Sequence, residues 1–338
     1  MSRHVSRCVS RRAAGVLFGT MLASVGASAA PPDFHQVVGL SAPNLWYKFD
    51  EPANATAIIN HGSWGSAYNA TPFNGVLLNQ ASSLGDPAVR FNQATQPYIE
   101  SDSVVPAALT GNPTFSIEAI VKVEGQGTLW APFLFWGGNT TGTSAWLSIR
   151  GNNPDRYFAG FYNSGLRTVC RTAGTAWYHI VWVRDSAGGT RDSLTGSTLY
   201  VNGEPAQLTR DELLFTGIMP NVIAGKFRIQ KAGDFTRFWS GAMDELALYT
   251  RALTQDEVQT HALAFGVGTT AKFCPADLNA DCLVDDLDFQ IFARSYDILL
   301  CSEPTMPFNC PADLNKDTLV DDQDFGAFVQ AYDALLCE

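Results

Sequence analysis

Short runs in which apolar and polar residues alternate occupy most of the chain. Alternation of this kind is seen at residues 45–50 (LWYKFD) and 115–123 (FSIEAIVKV), and residues 178–185 are rich in aromatic and β-branched side chains. A period of two places neighbouring side chains on opposite faces of a strand, so each run predicts a β-strand. Residues 243–249 predict a last strand of the same kind.

Turn signals separate these runs, and helical signals are scarce. Asn202 and Gly203 follow an apolar run and predict a tight hairpin. The first helix signal is at Thr254, where Glu257 completes a capping box and predicts a short helix to about Ala264. Many short strands without helices between them predict a mainly β fold, a sandwich of two antiparallel sheets.

Composition supports a folded chain and excludes several classes of protein. Of the 338 residues, 46% are hydrophobic and 12% aromatic, which is enough for a core and too apolar for general disorder. There is no glycine period or long heptad run, so collagen and coiled coil are excluded. The net charge of −11 argues against nucleic acid as a partner.

The negative charge is concentrated at the C-terminal end. Residues 274–338 contain 14 acidic and 2 basic side chains, whereas residues 1–273 contain 19 acidic and 20 basic ones. An acidic tail on a nearly neutral body indicates a domain boundary, and residues 266–273 form a small-residue linker. Because close carboxylates repel one another, the tail also favours binding of a cation.

The first 30 residues have the features of a secretory signal peptide. Four arginines lie among the first twelve residues, residues 13–27 are apolar and small, and Ala27 to Ala29 form a cleavage signal. We therefore predict a protein that is secreted to the extracellular space or the cell surface. No later segment is long and apolar enough to be a transmembrane segment.

The order of the strand sequences resembles the laminin-G-like, concanavalin A-like jelly-roll family over residues 38–265. The matching segments are residues 45–51 (LWYKFDE), 115–119 (FSIEA), 177–181 (WYHIV), 199–203 (LYVNG) and 241–254 (GAMDELALYTRALT). The resemblance implies an antiparallel lectin-like sandwich that binds a glycan or an extracellular surface protein, often with a calcium ion.

Aromatic residues in or beside the loops are candidates for stacking on sugar rings. They are Trp64, Tyr68, Trp130, Trp136, Trp146 and Tyr162. Burial in the sandwich core is an equal alternative for each of them. A third calcium ion, in the sandwich, would use Asp50 and Asp244, although the aspartate of the family's calcium loop is missing at residues 60–64 (NHGSW).

The tail is an internal repeat, since residues 274–289 recur as residues 310–325 with an offset of 36. In each repeat a twelve-residue loop places oxygen donors at positions 1, 3, 5, 9 and 12, with a backbone carbonyl at position 7. This spacing suits one calcium ion per loop and suits magnesium less well. The ligands are Asp277, Asn279, Asp281, Leu283, Asp285 and Asp288, then Asp313, Asn315, Asp317, Leu319, Asp321 and Asp324. The alternative is a pair of capped acidic turns without metal.

Each loop is followed by a predicted helix with one aromatic face. Those faces are Phe289, Phe292 and Tyr296, then Phe325, Phe328 and Tyr332. Paired loop-and-helix units resemble dockerin modules, which implies two calcium ions, antiparallel helices and a cohesin-like partner. Position 6 departs from the pattern, because its usual glycine is replaced by Cys282 and Thr318. That position favours a positive φ, which costs a residue other than glycine about 1 kcal/mol.

Six cysteines follow the predicted signal peptide, and an even number in an exported chain suggests disulfides. Cys274 and Cys301 have the same separation as Cys310 and Cys337, so each pair is predicted to join the start of a loop to the end of its own helix. Two cysteines remain: Cys170 and Cys282 either pair with each other, or Cys170 is a buried thiol.

Catalytic signatures are weak. A retaining glycosidase needs two carboxylates about 5 Å apart, but Glu118 and Glu124 lack the aspartate between them, and Asp244 and Glu245 are expected on opposite faces of a strand. The histidines do not cluster in the sequence. No catalytic residue is therefore assigned.

The leading interpretation is a non-catalytic binding protein with a calcium-loaded tail for docking or tethering. Two other classes stay open, an extracellular polysaccharide-degrading hydrolase or lyase and a structural cell-surface protein. Turnover of a polysaccharide would favour the first of these, and absence of both turnover and glycan binding would favour the second.

Overall fold

The structure is a computed structural model. It describes residues 33–125, 127–151, 156–169, 176–211, 217–233, 237–267, 276–278, 284–307, 310–315 and 317–334. The predicted signal peptide and most of the predicted linker lie outside these residues. Within them, no helix is long and apolar enough to cross a membrane.

The described part of the chain contains sixteen β-strands. They are β1 (Leu45–Tyr47), β2 (Ala70–Phe73), β3 (Leu77–Ala81), β4 (Pro87–Phe91), β5 (Tyr98–Val104), β6 (Phe115–Gly125), β7 (Ala131–Gly137), β8 (Ser144–Ile149), β9 (Tyr157–Phe161), β10 (Ser164–Thr168), β11 (Trp177–Arg184), β12 (Ser197–Val201), β13 (Glu204–Pro205), β14 (Leu208–Arg210), β15 (Lys226–Ile229) and β16 (Ser240–Tyr249). Four of them, β1, β6, β11 and β16, correspond to the runs singled out in the sequence.

The strands form two eight-stranded sheets. The first sheet has the order β13-β12-β11-β6-β16-β4-β3, with β1 also paired to β16, and the second has the order β14-β10-β9-β8-β7-β15-β5-β2. All pairings described between these strands are antiparallel. The predicted mainly β, antiparallel sandwich is therefore confirmed.

The main core lies between the two sheets. Along β6 the alternate residues Phe115, Ile117 and Ala119 face it, as the period of two predicts. Phe115 is edge-on to Trp136 at a centroid distance of 5.0 Å and to Trp182 at 4.8 Å. Burial of these large aromatic side chains is the main source of stability for the sandwich.

A second apolar layer covers the outer face of the first sheet. It is formed by two helices, α1 (Phe34–Leu40) and α2 (Gln255–Phe265), which pack on side chains of β6, β11 and β16. The capping box predicted for α2 is present, with Thr254 and Glu257 each bonded to the other's backbone. Helix α1 was not predicted, because its seven residues are too few for a helical period to stand out.

The hairpin between β12 and β13 is the predicted tight turn. Asn202 and Gly203 have φ values of 52° and 86°. Two successive positive φ angles match the twist of the flanking strands and suit this residue pair. The turn signal in the sequence was sufficient to place this hairpin.

The tail contains two helices, α3 (Asp286–Ile298) and α4 (Asp322–Ala334). Their aromatic faces meet, with the Phe292 and Phe328 ring centroids 4.9 Å apart. The Tyr296 hydroxyl, late in α3, donates to Asp322 Oδ1 at the start of α4 over 2.5 Å. Tyr332, late in α4, donates to Asp286 Oδ1 over 2.6 Å. These reciprocal contacts require the antiparallel arrangement that the sequence predicted.

Candidate functional site

The six predicted sugar-stacking residues lie in three different places. Trp136 is fully buried within β7, and its Nε1 donates to the carbonyl of Leu109 over 3.1 Å. It cannot contact a ligand on the surface, so its prediction as a binding residue is wrong. The sequence placed it beside a loop, whereas β7 continues through it and turns its side chain into the core.

Trp64 and Tyr68 form a half-buried pair at the edge of the main core. Their ring centroids are 4.8 Å apart, and Trp64 stacks on Phe227 at 6.1 Å. The backbone carbonyl of Tyr68 accepts a hydrogen bond from the Tyr47 hydroxyl. These contacts indicate that Trp64 and Tyr68 pack against the edge of the core and have a structural role.

Trp130, Trp146 and Tyr162 come together on the outer face of the second sheet. Trp146 projects from β8 on the side opposite the core residue Leu147, and it lies over a small apolar cluster with Phe158. The Trp146 and Tyr162 rings are nearly parallel, at 3° and a centroid distance of 6.4 Å. Trp130 and Tyr162 are partly exposed, whereas Trp146 is buried. We call Trp130, Trp146 and Tyr162 the aromatic face.

Charged groups that the sequence did not single out surround the aromatic face. The Arg237 guanidinium lies over Trp130 at 4.9 Å and over Trp146 at 5.5 Å. Arg150 lies over Trp130 at 4.8 Å and forms an ion pair with Asp211. Such contacts between a cation and a ring hold the ring in a fixed orientation. They were not predictable, because they join residues from separate loops.

Asp211 contacts both Trp130 and Arg150 of this arrangement. It is fully buried, and its Oδ2 accepts a hydrogen bond from Trp130 Nε1 over 3.0 Å. Burial lowers the pKa of Arg237 from its usual value. The aromatic face therefore combines partly exposed rings with fixed polar groups, which is the chemistry that binds a sugar by ring stacking and hydroxyl hydrogen bonds.

Asp244 and Glu245 do not lie on opposite faces of β16, so that expectation is wrong. The pairing of β16 with β6 shifts between Asp244 and Ala247, and Glu245 has a φ of 52°. This β-bulge lets two consecutive carboxylates face the outer side of the first sheet. Asp50, the other residue considered for a calcium ion in the sandwich, is exposed. Asp244 is fully buried, and this burial, together with the neighbouring carboxylates of Glu245 and Asp86, raises its pKa to about 9.

Two histidines that are distant in the sequence meet at Glu118. His179 Nε2 lies 2.6 Å and His261 Nδ1 2.8 Å from Glu118 Oε1, and the Tyr249 hydroxyl donates to Glu118 Oε2 over 2.7 Å. The histidines are well separated in the sequence, but two of them contact the same carboxylate in the structure. All four side chains are buried, with His261 contributed by α2 and the other three by the first sheet. The second ring nitrogen of His179, Nδ1, is buried without a hydrogen-bond partner among the described residues.

In the second acidic loop, backbone N–H groups donate hydrogen bonds to the loop's own carboxylates. Asp313 Oδ2 accepts from the backbone N–H of Thr318 over 3.0 Å. Asp324 is fully buried, and its Oδ1 accepts from the N–H groups of Leu314 and Asn315 over 2.7 and 3.0 Å. At the start of α4, Asp321 N donates to Asp324 Oδ2 over 3.0 Å, and Asp321 Oδ1 accepts from Gln323 N over 2.8 Å. The backbone of the loop thus turns its N–H groups toward two of the loop's carboxylates, Asp313 and Asp324.

The described part of the first loop repeats this pattern. Asp288 is fully buried and accepts from the N–H of Leu278 over 2.6 Å and from that of Asp285 over 3.0 Å. Asp277 is also buried. Three of the predicted ligands lie outside the described residues: Asn279, Asp281 and Leu283.

The unusual residue at position 6 adopts the backbone predicted for it. Thr318 has a φ of 76°, which confirms the left-handed conformation expected where a glycine is usual. Its loop equivalent, Cys282, lies outside the described residues. The neighbouring Leu319 pairs with Leu300 in an isolated β-bridge, which joins the second loop to the end of α3.

The predicted pairing of the tail cysteines is wrong. Cys301 forms a disulfide with Cys310, nine residues later, with a Cα–Cα distance of 5.3 Å. The equal spacing of the two predicted pairs follows from the duplication itself and carries no information about pairing. The segment from Cys301 returns to the second loop through the β-bridge of Leu300, which brings the two cysteines together. Cys170, Cys274 and Cys337 lie outside the described residues.

Comparison with known proteins gives a family for the sandwich. Residues 91–259, half of the chain, match a laminin G family model described as the concanavalin A-like lectin/glucanases superfamily. No curated protein matches the chain.

Three solved structures illustrate the likeness of fold. Domain 4 of AbnA, a GH43 extracellular arabinanase from Geobacillus stearothermophilus solved with arabinotriose, is 20% identical with a TM-score of 0.45, over 65% of this chain and 98% of that one. Trypanosoma rangeli sialidase with sialic acid is 16% identical, TM-score 0.46, over 71% of this chain and 35% of that one. The binding domain of Paraclostridial Mosquitocidal Protein 1 is 14% identical, TM-score 0.45, over 67% and 52%. Likenesses with TM-scores below 0.5 establish neither ligand nor activity.

Proposed function

The chain belongs to the concanavalin A-like lectin/glucanases superfamily, and from that premise we propose that it is a secreted, non-catalytic protein that binds a glycan on the aromatic face of its sandwich. The observation that carries the proposal is the convergence of Trp130, Trp146 and Tyr162 on one outer surface with two arginines and a buried aspartate. No comparable set surrounds Trp64 and Tyr68 among the described residues.

The partly exposed rings of Trp130 and Tyr162 would contact the apolar face of a sugar. Trp146 is buried and supports Tyr162 from the side. Arg237 lies over both tryptophans and donates from Nη1 to the carbonyl of Leu129 over 2.6 Å, which holds its guanidinium beside the rings. Asp211 holds the Trp130 indole in place through Nε1, so the platform is formed before the ligand arrives.

The test is a glycan screen on the full chain, followed by titration calorimetry with the best ligand. Trp130→Ala and Tyr162→Ala should each weaken binding by about tenfold, which corresponds to about 1.4 kcal/mol. The matched control is Tyr98→Ala, because Tyr98 is a partly exposed ring that stacks on Phe73 elsewhere on the second sheet. If only Tyr98→Ala loses binding, the glycan site lies around Tyr98 and not on the aromatic face.

Turnover separates the proposal from the enzyme alternative. The polysaccharide that binds is incubated with the protein and its chain length is followed by mass spectrometry. We expect no shortening, since the carboxylates of Glu118, Asp244 and Glu245 are fully buried in the structure. Product release that the Trp130→Ala variant abolishes would favour a hydrolase or lyase.

We propose in addition that the tail binds two calcium ions. The donors gathered in each loop are carboxylate, amide and carbonyl oxygens, the ligands that calcium prefers. Asp313, Asn315, Asp317, Leu319, Asp321 and Asp324 would hold one ion, and the equivalent residues of the first repeat would hold the other. Residues 274–338 contain 14 acidic and 2 basic side chains, and a bound cation would relieve the repulsion among them, which supports this assignment. Calorimetry should find two calcium ions per chain, and Asp313→Ala should remove one.

The surface of the tail supports a docking role. Phe289 and Phe325, at equivalent positions of α3 and α4, are 44% and 42% exposed, and Leu287 is 54% exposed. Apolar side chains of this size on a small module favour contact with another protein. A cohesin-like partner stays a prediction of the dockerin resemblance. Calcium-dependent binding to a purified cohesin, lost on Phe289→Ser and Phe325→Ser, would support it.

A further inference from the structure

The outer face of the first sheet carries a cluster of one histidine and three carboxylates, which the proposed glycan and calcium sites do not use. Its members are His35 from α1, Asp86 from the segment before β4, and the adjacent Asp244 and Glu245 of β16. Ligand atoms of His35, Asp86 and Glu245 all lie within 4.8 Å of one another. From this geometry we propose that the four residues bind a divalent transition-metal ion, such as Mn²⁺ or Zn²⁺.

The β-bulge of β16 creates the cluster. With regular alternation, Asp244 and Glu245 would face opposite sides of the sheet, and only one could belong to a site. The bulge, with Glu245 at a φ of 52°, turns both toward α1. Both side chains have zero exposure, while those of His35 and Asp86 are 29% and 25% exposed. An ion would therefore reach the site from the side of His35 and Asp86.

Each carboxylate has one oxygen held by a hydrogen-bond donor that is not a candidate ligand. Glu245 Oε2 accepts from Trp46 Nε1 over 2.5 Å, and Asp86 Oδ1 accepts from the Ser82 hydroxyl over 3.0 Å. Asp244 Oδ1 accepts from the backbone N–H of Glu245 over 2.9 Å. Outer hydrogen bonds that fix one oxygen and leave the other to the metal are the usual support of carboxylate ligands.

The remaining oxygens of Glu245 and Asp86 both lie close to one nitrogen. His35 Nε2 lies 2.7 Å from Glu245 Oε1 and 3.0 Å from Asp86 Oδ2. One ring nitrogen carries at most one proton, so the two oxygens compete for a single donor. The third oxygen, Asp244 Oδ2, is buried and has no hydrogen-bond partner. An unpartnered carboxylate oxygen in a fully buried side chain is costly unless a cation satisfies it.

The spacing and chemistry of these atoms select the class of ion. Separations of about 3 Å between ligand atoms follow from metal–ligand bonds of about 2.1 Å at right angles, shorter than those of calcium. Imidazole nitrogen together with carboxylates favours Mn²⁺, Fe²⁺ or Zn²⁺ over magnesium and calcium. The other ring nitrogen, Nδ1, lies 3.7 Å from Asp33 Oδ1, which suits a histidine that binds metal through Nε2.

The test is Mn²⁺ binding to the full chain, followed by electron paramagnetic resonance in excess calcium so that the tail loops are filled. We expect one Mn²⁺ per chain that calcium does not displace and that Zn²⁺ does. Its spectrum should show coupling to a histidine nitrogen, and His35→Ala should abolish that coupling. His35→Ala, Asp86→Asn and Glu245→Gln should each weaken Mn²⁺ binding by at least about tenfold.

The matched control is His61→Ala, which removes an exposed histidine of the same sandwich and should leave Mn²⁺ binding unchanged. Circular dichroism of each variant shows whether the sandwich is folded, and Asp86→Asn is a nearly isosteric change of a partly exposed side chain. The proposal is overturned if no calcium-resistant Mn²⁺ binds. It is equally overturned if folded His35→Ala and Asp86→Asn bind Mn²⁺ as the unchanged protein does.

Discussion

The sandwich and the tail are stabilised in different ways. The sandwich has a core between two sheets, where Phe115 contacts both Trp136 and Trp182, and a second apolar layer under its helices. Among the described residues of the tail, six apolar ones are fully buried: Ala276, Val284, Phe292, Ala312, Val320 and Phe328. A core of this size rarely stabilises a module alone, so we expect the tail, unlike the sandwich, to need its disulfide or a bound cation for stability.

Calcium removal should give the largest difference between the two regions. In chelator the carboxylates of each loop repel one another, and the tail core is too small to compensate. Calorimetry of the full chain should show a tail transition that is lost in chelator and restored by calcium, with the sandwich transition nearly unchanged. Asp313→Ala should reproduce part of the effect, while Asp256→Ala, on the exposed side of α2, should not. If the tail transition is the same in chelator and in calcium, the stability of the tail does not depend on calcium and the two regions do not differ in this respect.

The disulfide should have the next largest effect, again limited to the tail. Closing the short loop between Cys301 and Cys310 should stabilise it by about 2–3 kcal/mol in the chain-entropy treatment. Chemical denaturation of the Cys301→Ser, Cys310→Ser double variant in saturating calcium measures this loss. Peptide mapping of the non-reduced protein provides the independent check, and a peptide linking Cys274 to Cys301 would contradict the structure.

Removing the backbone strain at position 6 of the second loop should increase the stability of the tail. Thr318 is exposed and has a φ of 76°. Thr318→Gly should remove a strain of about 1 kcal/mol and tighten calcium binding at the second loop about fivefold. Thr305→Gly is the matched control, because Thr305 is also exposed and is not among the residues with positive φ. Weaker calcium binding in Thr318→Gly would show that the threonine side chain stabilises the loop.

The smallest effect concerns pH and belongs to the sandwich. Burial alone would raise the pKa of Glu118, but His261 and His179 hold it well below its usual range. Burial alone would lower the pKa of His261, but Glu118 raises it above the ordinary 6.5, with Glu257 adding to the shift and Arg251 opposing it.

The sign of the pH effect follows from these two shifts. The contribution of Glu118 is present above its ordinary 4.5 and is lost in acid, while that of His261 is present below 6.5 and is lost as pH rises through its raised pKa. The midpoint temperature of the sandwich should therefore fall above neutral pH, and less steeply in His261→Gln. His61→Gln is the control. If the midpoint temperature of His261→Gln falls as steeply above neutral pH as that of the unchanged protein, the pair of His261 and Glu118 does not stabilise the sandwich.

The sequence was sufficient for the features that depend on local pattern. Strand alternation in β6, the hairpin at Asn202 and the capping box at Thr254 were all predicted, because neighbouring residues determine each of them. The positive φ of Thr318 was predicted for the same reason, since its place in the loop repeat identifies it.

Features that depend on contacts between distant residues were missed. The bulge at Glu245 reversed the expected direction of one carboxylate, and no residue pattern marked it. Asp211 reaches Trp130 from a separate loop, and Cys301 reaches Cys310 through a β-bridge. Trp136 was taken for a loop residue because the turn beside it is rich in glycine and threonine.

The most direct test of the account is the affinity of the full chain for its glycan, measured in calcium and in chelator for the unchanged protein and for Trp130→Ala. The account predicts the same affinity in both conditions, because the aromatic face belongs to the sandwich, and an affinity about tenfold weaker in Trp130→Ala in both. Glycan binding that disappears with calcium, or that Trp130→Ala leaves intact, would contradict it.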